Sequence, residues 1–209
     1  FTIDSSDAIY ANNENCKEIA HNKSYFIKDS IESDTFKDHV FDYVFYYGVI
    51  QHTANPLETL RILIKKVKKN GKLSADFYRK FKVPTIYSTP KYLWRPITKR
   101  MNEITLLKII KKYIPVYLPI DTLLKKVLGK YATYLCGLIP IPCWNYYFYG
   151  LGKELNTEWA ILDTFDALSP KYDYPLSMQE IENYLKKIDN IEYKLHYGSN
   201  GIVLNLTKR

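Results

Sequence analysis

Apolar positions in this chain fall into short runs separated by stretches of helical period. At 1–3 (FTI) a brief apolar run gives way to Asp4-Ser5-Ser6, and Ser6 or Asp7 can cap a helix running toward Ala20. Positions 24–28 (SYFIK) predict a strand ending at Asp29-Ser30. The run 41–47 (FDYVFYY), rich in β-branched and aromatic residues, carries the strongest strand signal and stops at Gly48. Asn55-Pro56 then opens a helix, with Asn55 as N-cap and Pro56 at the first helical position. Leu57, Leu60, Ile64 and Val67 share one face of it, Asn70-Gly71 ends it, and 72–77 predicts the next strand. Strands alternating with helices of this length imply parallel βαβ units.

The same legibility returns near the C-terminus. Ser177 and Glu180 stand at capping-box spacing before a helix that carries Ile181, Tyr184 and Leu185 toward a core. Positions 191–196 and 202–206 predict two strands joined by Gly198-Ser199-Asn200-Gly201, a link short enough to require an antiparallel hairpin. The expected fold class is therefore α/β, with a mostly parallel sheet that finishes in an antiparallel hairpin.

Residues 81–160 break the pattern. They are aromatic, basic and interrupted by prolines, and too long for a bare connection, so they predict a helical cap of their own. Within it, 105–112 (TLLKIIKK) and 122–130 (TLLKKVLGK) predict short amphipathic basic helices. The stretch 131–152 carries no charge and is long enough to cross a bilayer. Pro140, Pro142 and Asn145 argue against a simple span and for a half-buried lid segment. Basic helices beside an aromatic, apolar stretch keep peripheral membrane contact through 91–152 open. The expected organisation is a core of 1–80 and 161–209 with an insert at 81–160 over the acceptor site.

Composition sharpens this. In a chain of 209 residues with net charge +8, positions 91–130 hold ten Lys or Arg against Glu103 and Asp121, so the basic excess resides in the insert. Such a block can face lipid, nucleic acid or an acidic substrate, or be a solvated helix face. Cys16, Cys136 and Cys143 are odd in number and have no paired spacing, which reads as reduced thiols of a cytoplasmic protein. No CxxC or HxxxH pair points to a metal site.

In open α/β sheets, ligands sit beyond the carboxyl ends of the strands. Here those ends carry Asp4, then Asp29, then Gly48 followed by Val49-Ile50-Gln51-His52-Thr53. One carboxylate can accept from the two hydroxyls of a ribose. A second can accept from an exocyclic amine, and a glycine lets a ligand approach the backbone. An acid alone after a strand is more often a turn or helix cap; the ordered set describes a site for an adenosine-like ligand. His52 can serve as a general base, the alternative being a structural histidine in the loop. Gln51, Asp163 and Asp166 are candidates to line an acceptor pocket, the two aspartates otherwise capping a turn.

Read in order, TIDSS, IKDS and FDYVFYYGVIQHTANPLETLRILIKKVKKNGKL resemble motifs II to V of class I S-adenosylmethionine (SAM)-dependent methyltransferases of the type 11/12 kind. The resemblance covers 1–80 and about 161–209, and it implies a Rossmann-like sheet. By that resemblance Asp4 and Ser5 would meet the SAM ribose, Asp29 and Ser30 the adenine, and Tyr47 and Gly48 the methionine part. The segment EWAILDTFDALSPKYDYPLS is similar to a bacterial subgroup with a long helical insert. The implied activity is methyl transfer to a small-molecule or lipid-linked saccharide acceptor. The alternative is a non-catalytic binding module that keeps the fold. Nucleic acid is not the expected acceptor, since the [DN]PP[YF] signature is missing: Asn55-Pro56-Leu57 is a helix start, and Pro142-Cys143 sits in the insert rather than after the fourth strand. The implied location is the cytoplasm, with the inner membrane surface as the open alternative.

Two departures stand out. Lys69 and Asn70 replace the proline and glycine the family usually carries before its fifth strand. The family's first strand and GxGxG loop have no counterpart in the chain, which leaves an expected sheet gap between the strands ending at Asp4 and Tyr47. Calorimetric titration of this chain with SAM is therefore expected to show binding weaker than micromolar; micromolar affinity would refute the expectation.

Overall fold

A computed structural model describes residues 1–18, 23–81, 91–132 and 141–209. The predicted helix end at Ala20, and Cys136 and Pro140 in the uncharged stretch, lie outside the described residues. The chain divides into two compact units, Phe1–Lys80 with Tyr172–Arg209, and Phe81–Lys171.

In the first unit, β1 (Thr2–Asp4) and β2 (Phe26–Lys28) pair in parallel, with α1 (Ala8–Cys16) between them in sequence. A second sheet holds β3 (Phe41–Tyr46), β4 (Val67–Phe77), β5 (Ile191–Tyr197) and β6 (Ile202–Lys208) in the order β3-β4-β6-β5. β3 runs parallel to β4, while β6 is antiparallel to both neighbours. This is a mixed, Rossmann-like α/β arrangement with the expected terminal hairpin. No ladder joins β1 to β3 among the described residues. Tyr43 and Phe45, alternating outward on β3, are each 74% exposed.

The core follows from two periods. Leu73, Ala75 and Phe77 of β4 and Ile202, Leu204 and Leu206 of β6 alternate inward at period two. Helix α2 (Pro56–Lys66) covers them with Leu60, Leu63 and Ile64 at helical spacing. Asn55 caps α2 through its side chain, which accepts from Glu58 N at 3.2 Å. The helix ends at Lys66, earlier than the expected Asn70-Gly71. The carbonyls a longer helix would use are taken: Lys208 Nζ donates to Ile64 O at 3.0 Å and Val67 O at 3.1 Å. Val67 instead pairs with Phe41, and the ladder resumes at Tyr43 with Lys72, so three extra residues loop out of β4. Asn70 adopts φ 63° in that loop. A Cβ on Gly71 would lie 2.7 Å from Val67 Cγ1 and 3.0 Å from Asp42 O, which only glycine avoids.

The second unit holds α3 (Lys91–Thr98), α4 (Glu103–Leu128) and α5 (Lys153–Leu168). The two short basic helices expected from the sequence are one helix, α4, running through Pro115 and Pro119. Each proline removes one i→i−4 bond. The helix persists because Leu106, Ile110, Ile114 and Leu118 form one buried stripe against Ala160 and Leu168 of α5. Since α5 continues past residue 160, positions 161–171 lie in this unit. Segment 141–147 is tied down by a polar cluster. Asn145 Nδ2 donates to buried Asp121 at 2.6 Å, and Lys125 pairs with the same carboxylate at 2.8 Å. The Asn145 side-chain oxygen in turn accepts from Asn156 at 3.1 Å and from Tyr147 N at 2.9 Å. No helix among the described residues is long and apolar enough to cross a membrane.

Back in the first unit, α6 (Met178–Leu185) begins with the full capping box of Ser177 and Glu180. Lys80 beside Glu180, then the Ser177 hydroxyl and N–H, hold the Glu180 carboxyl at about 2, well below its ordinary 4.5. A lowered folded value means this stabilisation is complete above pH 4.5 and is lost as pH falls toward 2. The side chain is 40% exposed, so solvent screening limits the contribution to about 1 kcal/mol. Glu180→Gln is expected to lower Tm by about 2–4 °C at neutral pH. Melting curves of variant and parent should converge as pH approaches 2; an equal gap at all pH values would contradict this account.

Candidate active site

Parallel pairing of β1 with β2 sets Asp4 and Asp29 side by side, one residue past the register pair Asp4 and Lys28. The strands are locked there by Asp29 N donating to Asp4 O at 3.0 Å. Asp4 is exposed, and its Oδ1 accepts from both the N–H and the hydroxyl of Ser6 at 2.7 Å. Ser6 Oγ in turn accepts from Ala8 N at the start of α1. Ser5 is exposed beside it. Asp29 is more heavily engaged. Its Oδ1 accepts from Ser30 N at 2.7 Å, and its Oδ2 from Ser33 Oγ at 2.8 Å and from the Thr35 hydroxyl. These donors, Thr35 first, hold its carboxyl below the ordinary range. Ser30 Oγ accepts from Glu32 N at 3.1 Å, completing a tight turn.

Beyond β3, Tyr47 bonds Ser74 across the strands at 3.0 Å and stacks on Phe45 with ring centroids 4.3 Å apart. Gly48 sits at φ 74°, and a Cβ there would meet nothing within 4 Å. Its N–H donates to Asp76 Oδ1 at 2.6 Å. Asp76 is 1% exposed, and its Oδ2 accepts from Asn200 in the β5–β6 turn at 2.6 Å. Next to this, Gly201 at φ 145° is pressed so close that a Cβ would fall 2.2 Å from Phe77 O. Asp76 thus joins the end of β3 to the terminal hairpin.

The chain then forms a 3-10 turn, Ile50–His52, and residues 172–176 return alongside it. Tyr174 N donates to Gln51 O at 2.9 Å. His52 Nδ1 lies 2.9 Å from Tyr172 O, and its ring meets Tyr78 edge-on at 5.6 Å. A carbonyl oxygen only accepts, so Nδ1 carries the proton and Nε2 is the basic nitrogen. Gln51 is 0% exposed, and neither atom of its side-chain amide has a hydrogen-bond partner among the described residues. A buried, unpaired amide is uncommon in a native interior.

Asp4, Asp29, Gly48, Gln51 and His52 therefore stand in one unit. Asp163 and Asp166 stand in the other, within α5 rather than at a turn. Burial, with Asp166 nearby, pushes the Asp163 carboxyl up. Among the described residues no cluster of His, Cys, Asp and Glu could hold a metal. Three contributors escaped sequence reasoning. Asp76 had a weak signal, an acid at the end of a strand on the face opposite Leu73, Ala75 and Phe77. Tyr172 acts through its carbonyl, which no side-chain pattern reveals. Tyr46, whose hydroxyl is pushed up to about 12 by burial and by the charges of Glu32 and Asp4, looks in sequence like any strand aromatic.

Residues 1–75 match the methyltransferase domain family. The match lies wholly within the first unit. No curated protein matches the chain. Among solved structures, a SAM-dependent methyltransferase of Thermotoga maritima, described as a possible histamine N-methyltransferase, is 14% identical with TM-score 0.41; the alignment covers 99% of this chain and 72% of that one. The plantazolicin methyltransferase BpumL, solved with a triazolic desmethylPZN analog and SAH, is 14% identical with TM-score 0.45, covering 99% of this chain and 66% of that one.

Replacing Asp76 by Ala would strand the Gly48 N–H and release the hairpin turn. Urea denaturation is expected to show a loss of about 2 kcal/mol. A change within about 0.5 kcal/mol would mean that the carboxylate does not hold the junction.

Proposed function

We propose that this chain, whose residues 1–75 carry methyltransferase-domain sequence, transfers a methyl group from SAM to a small-molecule or lipid-linked saccharide acceptor. The observation that carries the reading is that Asp4 and Asp29 lie at the ends of two paired parallel strands and Gly48 lies just beyond β3, all in one unit. The residues fit the cofactor at three points. Asp4 is exposed and commits one oxygen to Ser6, so the other suits a pair of ribose hydroxyls. Gly48 leaves its surroundings clear for a ligand lying against the backbone. Asp29 has three of its roughly four acceptor positions filled, leaving one for an exocyclic amine.

When bound, SAM supplies the electrophilic methyl carbon. The protein's part is chiefly to position, since an in-line displacement gains most from correct alignment. His52 is the candidate base. Its Nδ1–H is held by the Tyr172 carbonyl, so Nε2 is the atom that takes a proton from the acceptor. Gln51, with an unspent amide, is the candidate to bind the acceptor near it, and Asp163 and Asp166 remain candidates from the insert. We place the protein in the cytoplasm; peripheral contact with the inner membrane surface is supported by the basic residues of α4. The second reading is a binding module of the same fold.

Methyl release from labelled SAM, supplied at millimolar concentration with a panel of small-molecule and polyprenyl-linked sugar acceptors, tests this. Asp4→Ala is expected to raise the half-saturating SAM concentration about tenfold. His52→Ala is expected to cut turnover at least about tenfold and to leave that concentration unchanged. SAM binding without transfer to any acceptor would favour the binding module.

A further inference from the structure

The second unit contains a cavity of about 660 Å³ between α3, α4 and the segment at 141–142. That is the size of a small-molecule site. Among the described residues its walls are mostly aliphatic, with Ile97, Ile109, Val116, Ile120 and Ile141 prominent. Two lining hydroxyls are turned away from the space. Thr98 Oγ1 donates to Leu168 O at 2.9 Å, and Tyr113 OH donates to Pro142 O at 2.8 Å. A drug-like ligand needs a few polar anchors spread over its contacts. Here the charged group is at one edge: Lys112, exposed and lining the cavity, with no carboxylate partner among the described residues. Lys125 on the same helix is different, being committed to Asp121.

The arrangement repeats along α4. Ile109, Val116, Ile120, Leu123 and Val127 recur at steps of three, four and seven, and form an apolar stripe distinct from the buried one. Val116 is 69% exposed and Ile120 51%. Lys108, Lys112 and Lys126 fall on the flank of that stripe. An apolar slot with one exposed cation, Lys112, among its lining residues matches a ligand that is apolar along its length and anionic at one end.

We propose that this cavity holds the aliphatic chain of a single-chain amphiphile and that Lys112 meets its anionic head. The inference rests on the methyl-transfer reading only in naming the acceptor class; the binding itself needs no cofactor. The chain lies along Ile97, Val116 and Ile120, and the phosphate-like or carboxylate head stays at the solvent edge.

Octyl, decyl, dodecyl and tetradecyl phosphate, each below its micelle concentration, are titrated into the 209-residue chain without SAM. Affinity is expected to rise about fourfold per added methylene until the cavity is full. Val116→Asp, at an exposed position, should weaken dodecyl phosphate at least about tenfold with an unchanged melting temperature. Lys112→Ala should weaken dodecyl phosphate but not dodecanol. Affinity independent of chain length, or full affinity in Val116→Asp, overturns the proposal. So does binding to phosphatidylglycerol vesicles without any binding of the monomeric phosphates, which would make this face a membrane contact. Because SAM is absent throughout, failure here leaves the methyl-transfer reading standing, and failure of transfer leaves this result readable.

Discussion

The buried carboxylate of Asp76 is the constraint around which the first unit is arranged. It sits near the C-terminal end of β4 and holds two donors, the Gly48 N–H and the Asn200 amide. A buried charge is tolerated only when its lone pairs are met by donors. The demand therefore runs outward. Gly48 must turn at positive φ to present its N–H, and Gly201 must lie against Phe77 O without a side chain. Both ends of the sheet's parallel-to-antiparallel transition are pinned by one residue.

A second tie acts on the loop that follows. Residues 172–176 bond the 3-10 turn at Gln51 and His52 through the main chain. The Tyr172 carbonyl decides which imidazole nitrogen is basic, so a backbone atom far away in sequence settles the proton chemistry of the candidate base. Gln51, fully buried with an unpaired amide, is the local exception to good hydrogen bonding. Such exceptions concentrate where a ligand is to complete the pairing.

The second unit is built on a different balance. α4 gives up two helical hydrogen bonds at Pro115 and Pro119 and holds together by burying one aliphatic stripe against α5. The Asp121, Asn145 and Asn156 cluster fastens segment 141–147 to that pair. Packing on one side and polar ties on another leave α4 with a second apolar stripe, and the cavity opens along it.

Much of this was legible in the residues alone. Period two in β4 and β6, period 3.6 in α2, the Asn55-Pro56 start and the Ser177–Glu180 capping box are local signals. Local hydrogen bonding and side-chain spacing act within a few residues, so the elements, the α/β class and the positions of Asp4, Asp29 and Gly48 could be read directly. What the sequence could not decide depended on groups far apart along the chain. Two proline-broken helices became one because α5 supplied the packing that propensity lacked. The end of α2 moved to Lys66 because Lys208 reached its carbonyls. Asp29 proved largely occupied by its own turn, and Asp163 and Asp166 went to the other unit with α5. Asp76 acquired its role only when Gly48 and Asn200 converged on it. Propensity and periodicity determine which elements form; only tertiary contact decides which polar atoms remain free to act.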